Sequence, residues 1–171
     1  MVFSSPAQIS PKRGSLVHTI PILGREWRVS LYFKPTDYSH NKWASLLHLT
    51  IGEDNRHYGS RYPGVWFHPK PGICFVSAVN KEKNYAKCTL EDRPKLGGWT
   101  SLQISQEQAG GSFVYKIVIG DKELHSVENT KPVEMKAVKV YASDPWSHAQ
   151  RGSIKALLIQ TKLGQCHVML L

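Results

Sequence analysis

Two short stretches of this sequence concentrate polar and aromatic side chains suited to contacting sugars. An aromatic ring packs against the apolar C–H face of a sugar, and carboxylate, amide and guanidinium groups pair with its hydroxyls. The stretches are GEDNRHYGSRYPGVWF, residues 52–67, and DPWSH, residues 144–148. The candidate ligand-binding residues in them are Asp54, Asn55, Arg56, His57, Arg61, Tyr62, Asp144 and Trp146. The alternative is that these side chains only pack their own loops onto the fold.

The second stretch connects two strand-like segments and is more elaborate than a simple turn. Pro145 lacks an N–H and restricts Asp144 to an extended backbone, so a strand should end there. Asp144 can then accept hydrogen bonds from the amides of its own loop. Trp146 exceeds what a turn requires, so it either caps the core or stands exposed as a stacking surface. Because loops cluster at the two ends of a sandwich, we predict that both stretches surround one concavity.

Those loops are separated by segments whose apolar residues alternate. In REWRVSLYFK, the residues Trp27, Val29, Leu31 and Phe33 alternate with polar ones, which predicts a strand with one buried face. Gly110-Gly111 and Gly120-Asp121 each separate two such runs by two residues, as in tight hairpins. Nine or ten strands of this kind predict an all-β, two-sheet antiparallel sandwich over residues 15–162. Residues 1–14 are predicted to form a loose arm, and residues 163–171 an apolar tail.

Composition limits the partners. The 171 residues suit one domain, and no apolar run approaches the roughly 20 residues that span a bilayer. A net charge of +9 favours acidic partners such as sulfated glycans, anionic lipid head groups or nucleic acid, or else serves solubility. Nucleic acid is disfavoured because the basic residues are spread out and no RNA-binding signature is present. The apolar tail is a candidate contact for a protein partner or a second copy.

The cysteines and the N-terminal residues provide information on whether the protein lies inside or outside the cell. Cys74, Cys88 and Cys166 are odd in number, so at least one thiol is free. A Cys74–Cys88 bridge requires that their two segments pair, and buried free cysteines are the more common alternative. The N-terminal residues lack the apolar segment of a secretory signal. The protein is therefore expected either to stay inside the cell or to have a leader that this chain does not contain.

The order of the motifs resembles a known superfamily. The segments GGWTSLQISQ, FVYKIVIGDKEL, VKVYASDP and GSIKALLI resemble the second half of laminin-G-like and concanavalin A-like jelly-roll domains. The positions that carry this resemblance are Trp99, Ile117, Ile119, Gly120, Leu124, Gly152, Ile154, Leu157 and Ile159. The first half, with EWRVSLYFKPT, LLHLTIGEDN and PGVWFH, resembles an uncharacterised branch found in marine invertebrates such as cnidarians. The resemblance covers residues 16–160 and implies a jelly roll that binds glycans or mediates adhesion.

The resemblance also implies a possible calcium site, because many such domains bind calcium at the loop end of the sandwich. Calcium prefers six to eight oxygen ligands, and the candidate donors are Asp54, Asn55, Asn80 and Asp144. A site with only two carboxylates among its four residues would bind calcium weakly. The alternative is that these Asp and Asn side chains stabilise turns by hydrogen-bonding their own backbone. The histidines lack the short paired spacing of zinc ligands.

Catalysis is disfavoured. Glycoside hydrolysis needs two carboxyl groups on one face, whereas Glu53-Asp54 and Glu91-Asp92 are adjacent pairs that would point to opposite faces of a strand. No nucleophile elbow, zinc-protease motif or phosphate loop is present, and nothing favours a Cys74–His48 dyad.

The sequence therefore favours a non-catalytic, lectin-like or adhesive domain for acidic or sulfated glycans, in an extracellular or secretory location. A protein-interaction scaffold is the alternative, and a polysaccharide-acting enzyme is less favoured.

Overall fold

The structure is a computed structural model that describes residues 1–5, 7–38, 41–70, 72–89 and 94–163. These residues form thirteen β-strands and no α-helix, hence no helix able to cross a membrane. The strands are β1 (Val2–Ser5), β2 (Leu16–Leu23), β3 (Glu26–Pro35), β4 (Ala44–Thr50), β5 (Gly64–Phe67), β6 (Ile73–Val79), β7 (Glu82–Thr89), β8 (Thr100–Ala109), β9 (Ser112–Ile119), β10 (Lys122–Glu128), β11 (Met135–Tyr141), β12 (His148–Ala149) and β13 (Gly152–Lys162).

The strands form two sheets packed face to face. The first sheet has six strands in the order β1-β13-β3-β8-β9-β10. The second sheet has the order β2-β11-β4-β5-β6-β7, and the short strand β12 pairs with β4 off this path. The pairs are antiparallel except β12 with β4, which is parallel. The predicted two-sheet antiparallel jelly roll is confirmed.

The core follows from the alternation in the sequence. Along β3, the side chains of Trp27, Val29, Leu31 and Phe33 are buried between the sheets, and the residues between them point outward. Trp27 makes edge-on contacts with the buried rings of Tyr62 and Tyr115, whose centroids lie 5.2 and 6.3 Å from its own. Both predicted hairpins are present, because Ala109–Ser112 and Ile119–Lys122 are each joined by a two-residue turn.

The three central strands of the second sheet are buried on both faces. Every residue of β4, β5 and β6 is buried, which alternation alone does not produce. The chain between β11 and β13 lies over the outer face of β4, where the Asp144 amide donates to the Ser45 hydroxyl at 3.0 Å and the Gln150 amide to the Ser45 carbonyl at 3.0 Å. This covering layer creates the concavities described below.

The prediction of a loose arm over residues 1–14 was wrong. Strand β1 pairs with β13 from Val2↔Gln160 to Ser5↔Leu157, and Ile9 bridges to Ile154. The ring of Phe3 stacks on His18 at 4.2 Å. The arm is ordered because β13 would otherwise leave a row of backbone donors and acceptors unpaired at the sheet edge. Residues 164–171 of the predicted apolar tail, including Cys166, lie outside the described residues.

Two of the cysteines form a disulfide bond. Cys74 on β6 and Cys88 on β7 are directly opposite each other, with 4.1 Å between their Cα atoms. The bridge that the sequence left open is therefore present, because the two neighbouring segments do pair. Since the sulfur of Cys74 is consumed in this bond, Cys74 is not a nucleophile for a dyad with His48.

Candidate functional site

A cleft of about 540 Å³ lies on the outer face of the second sheet. It is lined by four parts of the chain that are distant in sequence. These are Lys42 and Trp43, then Asp54 and Arg61, then Trp66 and Val76, then Trp146, Ser147 and His148. A second depression of about 370 Å³ is lined by Gly52, Glu53, Asp54, Asn55, Arg56 and Trp146. Because Asp54 and Trp146 line both, the two concavities adjoin.

Arg61 is held in one position at the cleft. Its Nε donates to the Asp54 carbonyl at 3.0 Å, and one terminal nitrogen donates to the Asp54 carboxylate at 2.9 Å. The guanidinium carbon lies 4.8 Å from the ring centroid of Trp66, in a cation–π contact. A guanidinium fixed at both its edge and its face loses little further freedom when it binds a ligand.

The carboxylate of Asp144 organises the loop from beneath. Its Oδ1 accepts from the Trp146 and Ser147 amides at 2.9 and 2.6 Å, and its Oδ2 accepts from the Trp66 indole at 2.8 Å. Burial raises the pKa of this carboxyl, but hydrogen bonds from His48, the Ser147 backbone and Trp66 outweigh burial. The pKa of Asp144 consequently lies well below its ordinary value of 3.8. Asp144 is therefore an anion that holds the loop.

His48 lies directly below this loop with both ring nitrogens against oxygen atoms. Nδ1 is 3.2 Å from the Asp144 carboxylate and Nε2 is 2.7 Å from the Ser60 carbonyl. Both contacts can be hydrogen bonds at once only when both nitrogens carry a proton, because each partner is an acceptor. The ring, which is fully buried against the Asp144 carboxylate, thus links the two loops.

Two half-exposed indole rings flank the cleft. Trp146 is 39% exposed and rests edge-on against His48 and Tyr141, at centroid distances of 5.5 and 6.2 Å. Trp43 is 44% exposed and packs edge-on against His68 at 4.6 Å. The parallel pairing of β12 with β4 brings them together, since the His148 amide donates to the Trp43 carbonyl at 3.3 Å. Each ring is supported on one side and open on another.

Trp66 can occupy its position because residue 64 is glycine. The six-membered ring of Trp66 lies where a Cβ at position 64 would be, far inside van der Waals contact. A methyl group there has to displace the indole that supports Arg61 and donates to Asp144.

We expect Gly64→Ala to destabilise the protein by about 1–3 kcal/mol, as overpacked sites do. It should also move the near-ultraviolet circular dichroism and the tryptophan emission, because Trp66 loses its packing. Chemical denaturation and both spectra provide the measurement. The matched control is Gly97→Ala, which places the methyl group in open space, although its positive φ carries a strain of its own. An unchanged Trp66 environment in Gly64→Ala would contradict this packing.

The structure brings together five of the eight predicted ligand-binding residues. Those that line the cleft or the depression are Asp54, Asn55, Arg56, Arg61 and Trp146. Tyr62 was wrongly predicted: it is 1% exposed, and its hydroxyl donates to the Val133 carbonyl and accepts from Gln106 inside the core. Asp144 was also wrongly predicted as a ligand contact, since it is fully buried. His57 is exposed and pairs with Glu53 at 2.6 Å, and it lines neither concavity.

Several lining residues were missed by sequence reasoning. Lys42, Trp43 and His148 enter the cleft through the β12–β4 pairing, which has no local sequence signal. For Trp66 the sequence did contain one signal, which is Gly64 two residues before it. A glycine at that distance allows a large ring to lie across the backbone.

The predicted calcium donors do not share a set of free oxygens. Both oxygens of Asp144 accept from protein donors, and Asp54 is paired with Arg61. The Asn80 side-chain oxygen accepts from the Thr130 amide at 2.7 Å, in a different contact network. Within the described part of the chain, no three His, Cys, Asp or Glu side chains form a group that could hold a metal ion. The calcium prediction therefore has no support in the geometry of these residues.

Comparisons with known proteins give the fold. No family model and no curated protein matches the sequence. Among solved structures, the carbohydrate-binding module CBM40 of a Ruminococcus gnavus sialidase, bound to α2,3-sialyllactose, has a TM-score of 0.56 at 13% identity, with 94% of each chain covered. Domain 4 of the Geobacillus stearothermophilus arabinanase AbnA, with arabinotriose, has a TM-score of 0.55 at 20% identity, covering 82% of this chain and 64% of that one. The binding domain of botulinum neurotoxin DC has a TM-score of 0.58 at 11% identity, covering 96% and 43%. At these identities the likeness establishes that the chain shares the β-sandwich fold of these domains.

Proposed function

We propose that this protein is a non-catalytic glycan-binding domain whose binding site is the cleft between residues 54–61 and 144–148. One observation carries the proposal: Asp54 and Trp66 fix Arg61 in a cleft that the half-exposed rings of Trp43 and Trp146 also line. Aromatic surfaces beside a rigid pair of planar polar groups provide what a sugar ring needs, an apolar contact and paired hydrogen bonds.

The polar groups indicate how a sugar would be held. The Arg61–Asp54 pair presents donors and acceptors side by side, which suits two adjacent hydroxyls. Lys42 adds a positive charge at the rim, which suits an acidic sugar such as a sialic acid. The neighbouring structures support this class, because the R. gnavus module is bound to sialyllactose and AbnA domain 4 to arabinotriose.

The same geometry argues against hydrolysis. Among the described residues that line the cleft, Asp54 is the one carboxylate, and it is paired with Arg61. Asp144 is buried and lies under the surface, where it cannot reach a glycosidic oxygen. A general acid with a raised pKa and a second carboxylate at the distance glycosidases need are both missing from this cleft.

The Cys74–Cys88 bridge supports an extracellular or secretory location, because disulfides form and persist in oxidising compartments. Assignment to the marine-invertebrate branch remains a prediction from the first-half motifs.

The test is a glycan array with the wild type and the Trp146→Ala variant. Trp146 is 39% exposed and lines the cleft, so its loss should reduce binding at least tenfold while the melting temperature changes little. Trp43→Ala should have the same effect, because its half-exposed ring lines the same cleft.

The matched control is Leu96→Ala, which removes a 46% exposed apolar side chain outside the cleft and should leave binding unchanged. If wild-type protein binds no glycan and instead captures a protein partner through the same tryptophans, the domain is an interaction scaffold. If Trp146→Ala unfolds the protein, the loop is a structural corner and the proposal fails.

A further inference from the structure

The outer face of the first sheet, on the other side of the sandwich, carries a second cluster of charged and aromatic side chains. We call this cluster, formed by Tyr32, Lys34, Trp99 and Lys155, the lysine patch. It lies outside both concavities described above.

Strand register creates the patch. Tyr32 on β3 is opposite Lys155 on β13 on one side and opposite Ser101 on β8 on the other. Lys34 is the next outward-facing residue along β3, and Trp99 directly precedes β8. Because Leu31 and Phe33 point into the core, Tyr32 and Lys34 must point outward.

Trp99 holds both lysine side chains. The ammonium nitrogen of Lys155 is 4.2 Å from the Trp99 ring centroid, and that of Lys34 is 5.0 Å from the same centroid. Lys155 is also 5.7 Å from the Tyr32 centroid. The two ammonium groups can therefore be no farther apart than the sum of their distances to the Trp99 ring. Cation–π attraction to the indole offsets part of the cost of placing two like charges around one ring.

These two lysines differ from the other cations of this face. Arg28 pairs with Glu107 at 2.7 Å and Lys116 with Glu123 at 3.0 Å. Within the described residues, no carboxylate forms an ion pair with Lys34 or Lys155. Two cations on one indole that pair with no carboxylate of the described residues attract an anion, because the anion relieves their mutual repulsion.

We propose that the lysine patch binds the sulfate or carboxylate groups of an anionic polysaccharide. The ammonium groups contact the anionic substituent, and the 46% exposed ring of Tyr32 packs against the adjoining sugar. Ser30, Ser101 and Gln103 are polar side chains on the same face, and they can hydrogen-bond the hydroxyls of a sugar chain.

A consequence is that one molecule has two glycan sites on opposite faces. The cleft on the second sheet binds a sugar through rings and a paired arginine, whereas the lysine patch binds by charge. A single domain could then connect two glycan chains.

The experiment measures binding of a heparin-derived octasaccharide by calorimetry at several salt concentrations. The double variant Lys34→Gln/Lys155→Gln should weaken binding at least tenfold. It should also reduce the slope of log Kd against log salt by about one to two, since each contact between a lysine and an anionic group releases counterions. The matched control is Lys116→Gln/Lys136→Gln, which removes the same total charge from positions outside the patch and should retain the wild-type slope.

Trp146→Ala separates this proposal from the cleft. In a Trp146→Ala background, the double lysine variant should still weaken octasaccharide binding at least tenfold, and in the wild-type background it should leave binding of uncharged glycans at the cleft unchanged. Equal loss in the double variant and its control would overturn the lysine patch, because net charge would then explain the binding. A single-stranded DNA octamer or a phosphatidylserine vesicle that binds as tightly as the octasaccharide, with the same loss in the double variant, would overturn the assignment to polysaccharide.

Discussion

Replacing Asp144 by asparagine is expected to destabilise the fold by about 3–5 kcal/mol, which lowers the melting temperature by roughly 6–20 °C. The side chain is fully buried, and it receives hydrogen bonds from the backbone of Trp146 and Ser147, from Trp66 and from His48. An asparagine amide would point a donor at one of these donors and remove the negative charge that they surround. Urea denaturation at neutral pH measures the loss.

The pH dependence of the free energy of unfolding tests whether the Asp144 carboxylate causes this loss of stability. The folded-state pKa of Asp144 is lowered, chiefly because donors from His48, Ser147 and Trp66 outweigh the burial that would raise it. A lowered folded pKa contributes stability that is complete above the ordinary value of 3.8 and is lost as the pH falls below it. The difference in free energy of unfolding between wild type and Asp144→Asn should therefore shrink as the pH falls below about 4.

An exposed carboxylate provides the matched control. Asp37 pairs with Arg151 at 2.7 Å, with 39% of the Asp37 side chain exposed. Asp37→Asn should cost no more than about 1 kcal/mol, because exposed ion pairs contribute little. If Asp144→Asn is equally mild, or if its difference from wild type does not change in acid, the Asp144 carboxylate does not hold the loop.

The fold was predictable where its signals are local. The alternation through β3 and the two-residue turns at Gly110-Gly111 and Gly120-Asp121 depend on a few consecutive residues. Each is governed by a period of two or by backbone conformations that glycine permits, so the sequence alone identifies strands and hairpins.

The site was predictable in part, because its loops could be recognised but their covering layer could not. Convergence of residues 54–61 and 144–148 follows from the rule that loops cluster at the ends of a sandwich. Which side chains face inward depends on non-local contacts: Asp144 is buried because His48 and Trp66 lie beneath it. Tyr62 is buried because Gln106 provides a hydrogen-bond partner in the core. Neither partner is near in sequence.

The lysine patch shows the same limit more strongly. Lys34, Trp99 and Lys155 are more than fifty residues apart from one another in the sequence. None of the three lies in a segment whose pattern indicates that it contacts the other two. They meet because β13, β3 and β8 are neighbours in a particular register. A register shifted by one residue would place Tyr32 in the core, so side-chain clusters across three strands require the structure.

Removing the Cys74–Cys88 bridge is expected to cost about 3 kcal/mol, because a cross-link that closes a loop of this length restricts the unfolded chain by about that amount. The comparison is between Cys166→Ala and Cys74→Ala/Cys88→Ala/Cys166→Ala, so that no free thiol can exchange with the bridge. Urea denaturation should show the loss, and dithiothreitol should reproduce it in Cys166→Ala.

The bridge should also matter for the depression beside the cleft. Strand β7 is an edge strand, and it supports the loop through Lys83, which donates to the Arg56 carbonyl at 3.0 Å, and Asn84, which donates to the Asn55 carbonyl at 3.4 Å. Without the disulfide, amide hydrogen exchange should increase along β7 and at these loop residues before it increases in β4. Uniform exchange throughout the second sheet would show instead that β7 is held by its backbone pairing with β6, and that the bridge acts only on the unfolded chain.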